Sequence, residues 1–215
     1  MNPLYQGVLY LVPLILSLSV HEYFHAWAAR RLGDDTAERA GRLTLNPIAH
    51  VDPIGTLVLP MILIYTTGMP YFAWAKPVPF NPTRFRRDIT MRNGSMLVAF
   101  AGPLSNLILL IIVSLILAAS LRWFALPGAM YMLLQAMMRL NAALFVFNLI
   151  PIFPLDGHKV LSGLLPRQLA DSYDAVNYKF GNWVLLIIIV TGAGRFLRVP
   201  VEALVHGVAS LTGLA

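Results

Sequence analysis

The stretch Ser19-Val20-His21-Glu22-Tyr23-Phe24-His25-Ala26 places two imidazoles and a carboxylate in a segment that is otherwise typical of a membrane span. No charged side chain lies in the preceding residues 8–20. On a helix, His21 and His25 are one turn apart and project from the same face, so both can bind one metal ion. Glu22 lies beside them, where it can take a proton from water at that metal. Ionisable side chains at membrane depth cost about 2.5 kcal/mol or more each, so this arrangement predicts a metal site.

The composition predicts an integral membrane protein. Of 215 residues, 58% are hydrophobic and 12% charged, against about 25% charged in soluble proteins. The net charge is +6, but the basic residues lie between apolar blocks, so we expect no nucleic-acid partner. The absence of cysteine excludes disulfides and thiolate metal sites. No repeat or large polar block interrupts the chain, and residues 1–215 are predicted to form a single membrane domain.

Apolar runs predict an all-α polytopic fold with about four to six transmembrane helices. The clearest runs cover residues 4–30, 96–121, 130–155 and 183–191. Residues 57–65 form an apolar block that is too short to span comfortably and contains a proline. We therefore predict that this block is a re-entrant segment packed against protein.

Clusters of arginine predict how the spans are oriented. One cluster follows the first span and a second precedes the next: Arg30, Arg31, Arg39 and Arg42, then Arg84, Arg86, Arg87 and Arg92. The positive-inside tendency puts both clusters in the cytoplasm. The histidine motif lies near the first cluster, so we expect a multi-pass protein of the cell's inner membrane whose site faces the cytoplasmic side.

A catalytic zinc usually takes three protein ligands, so the two histidines need a third partner. Asp156 stands out because prolines interrupt the apolar run before it and Gly157 frees the backbone. His158 is the main rival, although an interfacial or supporting role suits it better. His50 and Asp52 could bond the backbone in a turn or orient a ligand, and the sequence does not choose between these roles.

Two asparagines lie inside apolar runs. Asn106 ends the segment Ala101-Gly102-Pro103-Leu104-Ser105-Asn106, and Asn148 begins the segment that leads to Asp156. Each amide could satisfy backbone groups where a helix is broken, or could contact substrate or an oxyanion. Both roles stay open from the residues alone.

Three motifs in this order resemble the signatures of the site-2 protease family of intramembrane zinc metalloproteases. They are His21-Glu22-Tyr23-Phe24-His25, the Ala101 to Asn106 motif and residues 148–157. Residues 42–56 are also similar to that family's compact bacterial and archaeal branch, which lacks PDZ and CBS domains. The resemblance implies an enzyme in the lipid bilayer that hydrolyses peptide bonds within or near transmembrane segments of membrane proteins.

The same resemblance implies roles for individual residues. His21, His25 and Asp156 would hold Zn²⁺, and Glu22 would be the catalytic base. Other divalent metals remain compatible with these ligand types.

Further roles implied by the resemblance concern the surroundings of the site. Asn106 and Asn148 would support the substrate or the site geometry. A small membrane-embedded β element near residues 42–56 would accept an unwound substrate as an added strand. The substrate, the regulation and the oligomeric state are not predicted.

Two other classes of protein could use the same side chains. A metal transporter could use the same side chains as a transit site, but the chain shows no repeated halves. A membrane chaperone or adaptor could keep the fold without proteolysis. Glu22 argues against that class, because a structural zinc site needs no general base.

Overall fold

The computed structural model describes residues 3–67 and 73–214, which form eight α-helices and no strand. The all-α prediction is therefore confirmed for the described part of the chain. The helices are α1 (Pro3–Arg31), α2 (Thr36–Arg39), α3 (Leu59–Thr67), α4 (Met91–Trp123), α5 (Gly128–Asn148), α6 (Asp156–Leu164), α7 (Arg167–Val190) and α8 (Arg198–Thr212).

Two of these helices, α4 and α5, are long and apolar enough to cross a membrane. A third crossing is added if α7 and the segment Gly194–Thr212, which meet at a bend of 84°, form one span. Within the described residues, this total of two or three is lower than the four to six spans predicted. The predicted first run, residues 4–30, forms α1, which is not among the helices that meet these criteria. The predicted fourth run, residues 183–191, is only the apolar second half of α7, whose first half carries charged side chains.

The β element predicted near residues 42–56 is absent from the described structure. This segment instead forms a 3₁₀ helix, Pro47–Ala49, and a π-helix, Pro53–Val58. A proline opens each turn, where its fixed φ suits the first helical position. The side chains of Asn46 and Asp52 accept hydrogen bonds from the backbone N–H two residues further on. These caps favour helical turns over a strand.

Helices α1 and α4 pack antiparallel to each other. His21 contacts Asn106, whereas His25, further along α1, contacts the earlier residue Val98. The chain between the two helices therefore begins and ends at the same end of the bundle. That end carries both arginine clusters.

Behind this pair, α5 and α8 complete a hydrophobic core with the later part of α4. The buried core residues are Leu110, Val113, Leu117, Met138, Ala142 and Val208. Leu110 lies one turn after Asn106 and is fully buried. The core thus anchors the α4 segment that contacts α1.

Candidate metal centre

Side chains from α1 and α6 bring three metal-ligating atoms together. The Nε2 atoms of His21 and His25 are 3.0 Å apart. Asp156 Oδ2 lies 3.2 Å from His21 Nε2 and 3.3 Å from His25 Nε2. Ligands about 2.0–2.1 Å from a tetrahedral zinc are separated by about 3.3–3.4 Å. The three atoms therefore have nearly the spacing of three zinc ligands.

Hydrogen bonds on the far side of each imidazole determine its tautomer. Asn106 Nδ2 donates to Asn141 Oδ1 at 3.0 Å, so Asn106 turns its oxygen toward His21. His21 Nδ1–H therefore donates to Asn106 Oδ1 at 2.6 Å. His25 Nδ1–H donates to the backbone carbonyl of Val98 at 2.7 Å. In a neutral imidazole with Nδ1 protonated, the lone pair that can bind a metal is on Nε2, the atom that each ring turns toward the other ligands.

With both rings neutral, these tautomers direct three acceptor atoms at one another. His21 and His25 are buried, and the side chain of Asp156 is 19% exposed. Two lone pairs and a carboxylate at such short range repel unless a cation lies between them. A set of two imidazole nitrogens and one carboxylate oxygen suits zinc, so the residues present fit this metal.

Gly102 allows α4 to approach the two histidines. A Cβ atom at this position would overlap the His25 ring and would lie 2.7 Å from His21 Nε2. No larger residue fits here without moving the imidazoles. In the Ala101 to Asn106 motif, Gly102 is therefore required because a side chain would not fit, and Asn106 orients His21.

Gly157 positions Asp156 in a similar way. A Cβ atom at Gly157 would collide with the backbone carbonyl oxygens of Leu149 and Ile150. The first turn of α6 can therefore fold directly against the turn that follows α5. Since Asp156 is the first residue of α6, this close approach brings its carboxylate to α1.

Glu22 lies next to the cluster on α1 and is 8% exposed. The backbone N–H of Val78 donates to Glu22 Oε2 at 2.9 Å. A buried carboxylate needs such a donor, because without one its removal from water costs free energy that no hydrogen bond offsets. The carboxylate is thus held beside the histidines by a segment that is distant in sequence.

Comparison with known proteins identifies the family. Residues 124–190 match the family model of Peptidase family M50. YwhC of Bacillus subtilis, named as a candidate zinc metalloprotease, is 38% identical over 195 residues, which are 88% of this chain and 83% of that protein. The chain belongs to peptidase family M50, the site-2 protease family. It is a membrane zinc metalloprotease.

Two further relatives of this M50 peptidase carry similar names. Rip2 of Mycolicibacterium smegmatis, also named as a candidate zinc metalloprotease, is 30% identical over 191 residues, 88% of this chain and 70% of that protein. The zinc metalloprotease MJ0392 of Methanocaldococcus jannaschii is 25% identical over 167 residues, 78% of this chain and 37% of that protein. No solved structure matches the chain.

Two asparagines were predicted to support the site of the M50 peptidase, and the structure brings one of them to the three candidate metal ligands. Asn106 contacts His21. Asn148 is the last residue of α5, and its amide donates to the Leu144 carbonyl of the same helix at 3.0 Å. This bond satisfies the end of a helix, which is the local role that the sequence left open.

The remaining candidates lie outside the cluster. His158 is 1% exposed and turns toward α7, where its Nε2 lies 3.0 Å from Asp174 Oδ1. His50 Nε2–H donates to the Thr44 carbonyl at 2.8 Å. Asp52 caps the π-helix. His158 therefore joins two helices of the M50 peptidase, while the other two residues shape the loop before α3.

Sequence reasoning missed several groups that surround the site. Asn141 on α5 donates to Ser17 Oγ at 2.9 Å and accepts from Asn106. It is fully buried, and an amide in the middle of an apolar helix is a signal that could have found it. The contributions of Val98 and Val78 come from backbone atoms, for which side-chain patterns carry no signal.

Proposed function

We propose that this M50 peptidase hydrolyses peptide bonds within or near transmembrane segments of membrane-protein substrates. In this proposal, His21, His25 and Asp156 hold the zinc ion and Glu22 is the general base. The observation that carries it is the set of three metal-ligating atoms, 3.0–3.3 Å apart, that face one another beside a buried carboxylate. The apolar helices around the cluster support a substrate that lies in the membrane.

Zinc, when bound, supplies a Lewis acid that makes water more nucleophilic near neutral pH and polarises a carbonyl. Glu22 takes the proton of the attacking water and delivers it to the nitrogen of the leaving amine. Asn106 keeps His21 in the tautomer that presents Nε2, and the Val98 carbonyl does the same for His25. A helical substrate must unwind locally before attack, because its peptide carbonyls are occupied by helix hydrogen bonds.

The arrangement of basic residues supports a site close to the cytoplasmic face of the cell's inner membrane. His25 precedes Arg30 by five residues, or about 8 Å along a helix. At the same end of the bundle, the Arg92 side chain donates to the backbone carbonyls of Ser162 and Leu165, next to α6. Arginines concentrate on the cytoplasmic side of membrane proteins. A short path through this end would bring water to the site.

The antiparallel packing of α1 and α4 also supports the predicted re-entrant segment. The chain that joins these helices returns to the end from which it started. The helix Leu59–Thr67 has nine residues, about 14 Å, which is less than half of the hydrocarbon thickness. Entry and exit on one side therefore suit this segment better than a crossing.

The proposal is tested by metal analysis and peptide cleavage on the same samples. Wild type and Glu22→Gln are purified, their zinc content is measured by elemental analysis, and a panel of transmembrane peptides is supplied in lipid vesicles. We expect about one zinc per chain in both proteins and cleavage by wild type alone. His25→Ala should contain little zinc and should not cleave.

Two results would refute the proposal. Cleavage by Glu22→Gln at the wild-type rate would exclude Glu22 as the base. Zinc flux into vesicles by wild-type protein that cleaves no member of the panel would favour a transporter.

A further inference from the structure

An extended segment runs along α1 past the three candidate metal ligands. We call residues 73–81, Ala-Trp-Ala-Lys-Pro-Val-Pro-Phe-Asn, the strap. Near its start, Ala75 packs in a cluster with Leu14 and Leu18 of α1. Further on, Val78 packs in a cluster with Ala26. The strap therefore passes the level of Glu22.

The sequence of the strap leaves it one backbone donor at this level. Pro77 and Pro79 have no N–H, so Val78 alone can donate among these three residues. That N–H is directed at Glu22 Oε2, at 2.9 Å. A carboxylate has two oxygens, so the bond orients the group and leaves Oε1 to receive a proton. The two prolines also restrict the backbone around Val78, which limits its freedom to turn away.

The loop before α3 holds the first half of the strap. Trp74 N–H donates to the Gly55 carbonyl at 3.2 Å, and Lys76 N–H donates to the His50 carbonyl at 2.9 Å. Thr56 Oγ1 donates to the Trp74 carbonyl at 2.7 Å. A Cβ atom at Gly55 would overlap the Trp74 ring, so this glycine lets the two segments lie in contact.

Two buried charged side chains hold the strap on either side of Val78. Arg42, which is 7% exposed, donates to the Lys76 carbonyl at 2.5 Å. Asp34, which is fully buried, accepts from the Asn81 N–H. Buried charges with such partners are costly to release, so these two contacts favour a fixed position of the strap against the site.

We propose that the strap is the positioning element for the general base, and that Val78 is the positioning residue, acting through its backbone N–H on Glu22. Arg42 and Asp34 keep that N–H in place. This inference rests on the proposed function, because Glu22 is the base only in that mechanism. It also gives Arg42, His50, Gly55 and Thr56, within the segment 42–56, a role that differs from pairing with substrate, since each has a hydrogen bond to the strap.

The test compares Val78→Pro with Val78→Ala in the full-length protein. Both variants lose the valine side chain, but only Val78→Pro loses the N–H. We expect kcat for a cleaved transmembrane peptide to be at least about tenfold lower in Val78→Pro than in Val78→Ala, as for a disoriented base. KM and zinc content should be similar in the two variants. Equal kcat values in both would overturn the proposal.

A second variant covers the case in which Val78→Pro does not fold. Arg42→Met keeps the Val78 N–H but removes the donor to the Lys76 carbonyl, so the strap is released at one side. We expect kcat to fall severalfold with zinc content unchanged. Folded Arg42→Met protein with the wild-type kcat would show that the base does not depend on the strap.

A measurement without turnover separates this inference from the proposed function. Protein labelled with ¹⁵N-valine is compared by NMR in wild-type and Glu22→Ala forms. If Val78 N–H is bonded to Glu22, its amide exchange becomes faster and its proton resonance moves in Glu22→Ala. An unchanged Val78 amide would overturn the inference, whereas zinc-loaded wild type that cleaves no peptide, with a Val78 amide that responds, would overturn the proposed function alone.

Discussion

The contact between Asn106 and His21 gives a quantitative prediction for zinc affinity. Asn106→Ala removes a 2.6 Å hydrogen bond from a fully buried side chain. His21 Nδ1–H and Asn141 Oδ1 then both lose a partner, and a buried polar group without a partner costs about 1–3 kcal/mol. The imidazole can also adopt the tautomer that places a proton on Nε2. We expect zinc affinity to fall about 10–100-fold, which corresponds to about 1.4–2.8 kcal/mol.

The assay is a competition titration with a fluorescent zinc chelator on protein purified in detergent. Asn148→Ala is the matched control, because the same truncation there removes a bond to Leu144 within α5. This control should bind zinc nearly as tightly as wild type. Circular dichroism on each sample shows whether the helices are retained.

Two results would refute the reasoning about the tautomer. Wild-type zinc affinity in folded Asn106→Ala would mean that the orientation of His21 does not depend on the amide. An equal loss of affinity in Asn148→Ala would mean that the effect comes from general loosening of α5 and not from the ligand.

Three other predictions concern metal content and stability. Gly102→Ala should lose zinc with little loss of helix, because its Cβ enters the space of the two imidazoles; normal zinc content would refute this. Removal of zinc by a chelator should lower the thermal unfolding midpoint, and zinc at 100 times its Kd should return about 2.7 kcal/mol; an unchanged midpoint would count against the metal site. Asp34→Ala should lower the free energy of unfolding by about 3 kcal/mol, since three hydrogen bonds to a buried carboxylate are lost. The control is Asp88→Ala, which removes an exposed ion pair with Arg86 at 3.7 Å and should lower the free energy of unfolding by less than about 0.5 kcal/mol.

Much of the candidate site could be predicted because its signals are local in sequence. The spacing of His21 and His25 places both rings on one face of any helix that forms there. Asp156 was marked by the prolines and the glycine around it, and in the structure Gly157 has a steric role beside it. Apolar runs predicted the all-α class and the approximate positions of α1, α4 and α5.

Other expectations depended on contacts that local patterns do not specify. Asn106 and Asn148 looked alike in sequence, and only one contacts the cluster among the described hydrogen bonds. Instead of the predicted β element near residues 42–56, the structure has irregular chain at residues 42–46 and two capped helical turns after it, and the backbone carbonyls of His50 and Gly55 accept hydrogen bonds from the strap. A strand pattern of a few residues is too short to outweigh these caps.

By itself, the sequence determined which side chains could bind a metal and that the two histidines lie one turn apart in an apolar run, because residue type and helical period are properties of the local chain. Only the tertiary structure decided that His21 meets an amide 85 residues away and that Glu22 is held by the backbone of Val78. Such contacts arise from the way helices pack, and packing depends on shape along whole surfaces. A backbone N–H, moreover, is present at every residue except proline, so its use at one position leaves no mark in the sequence.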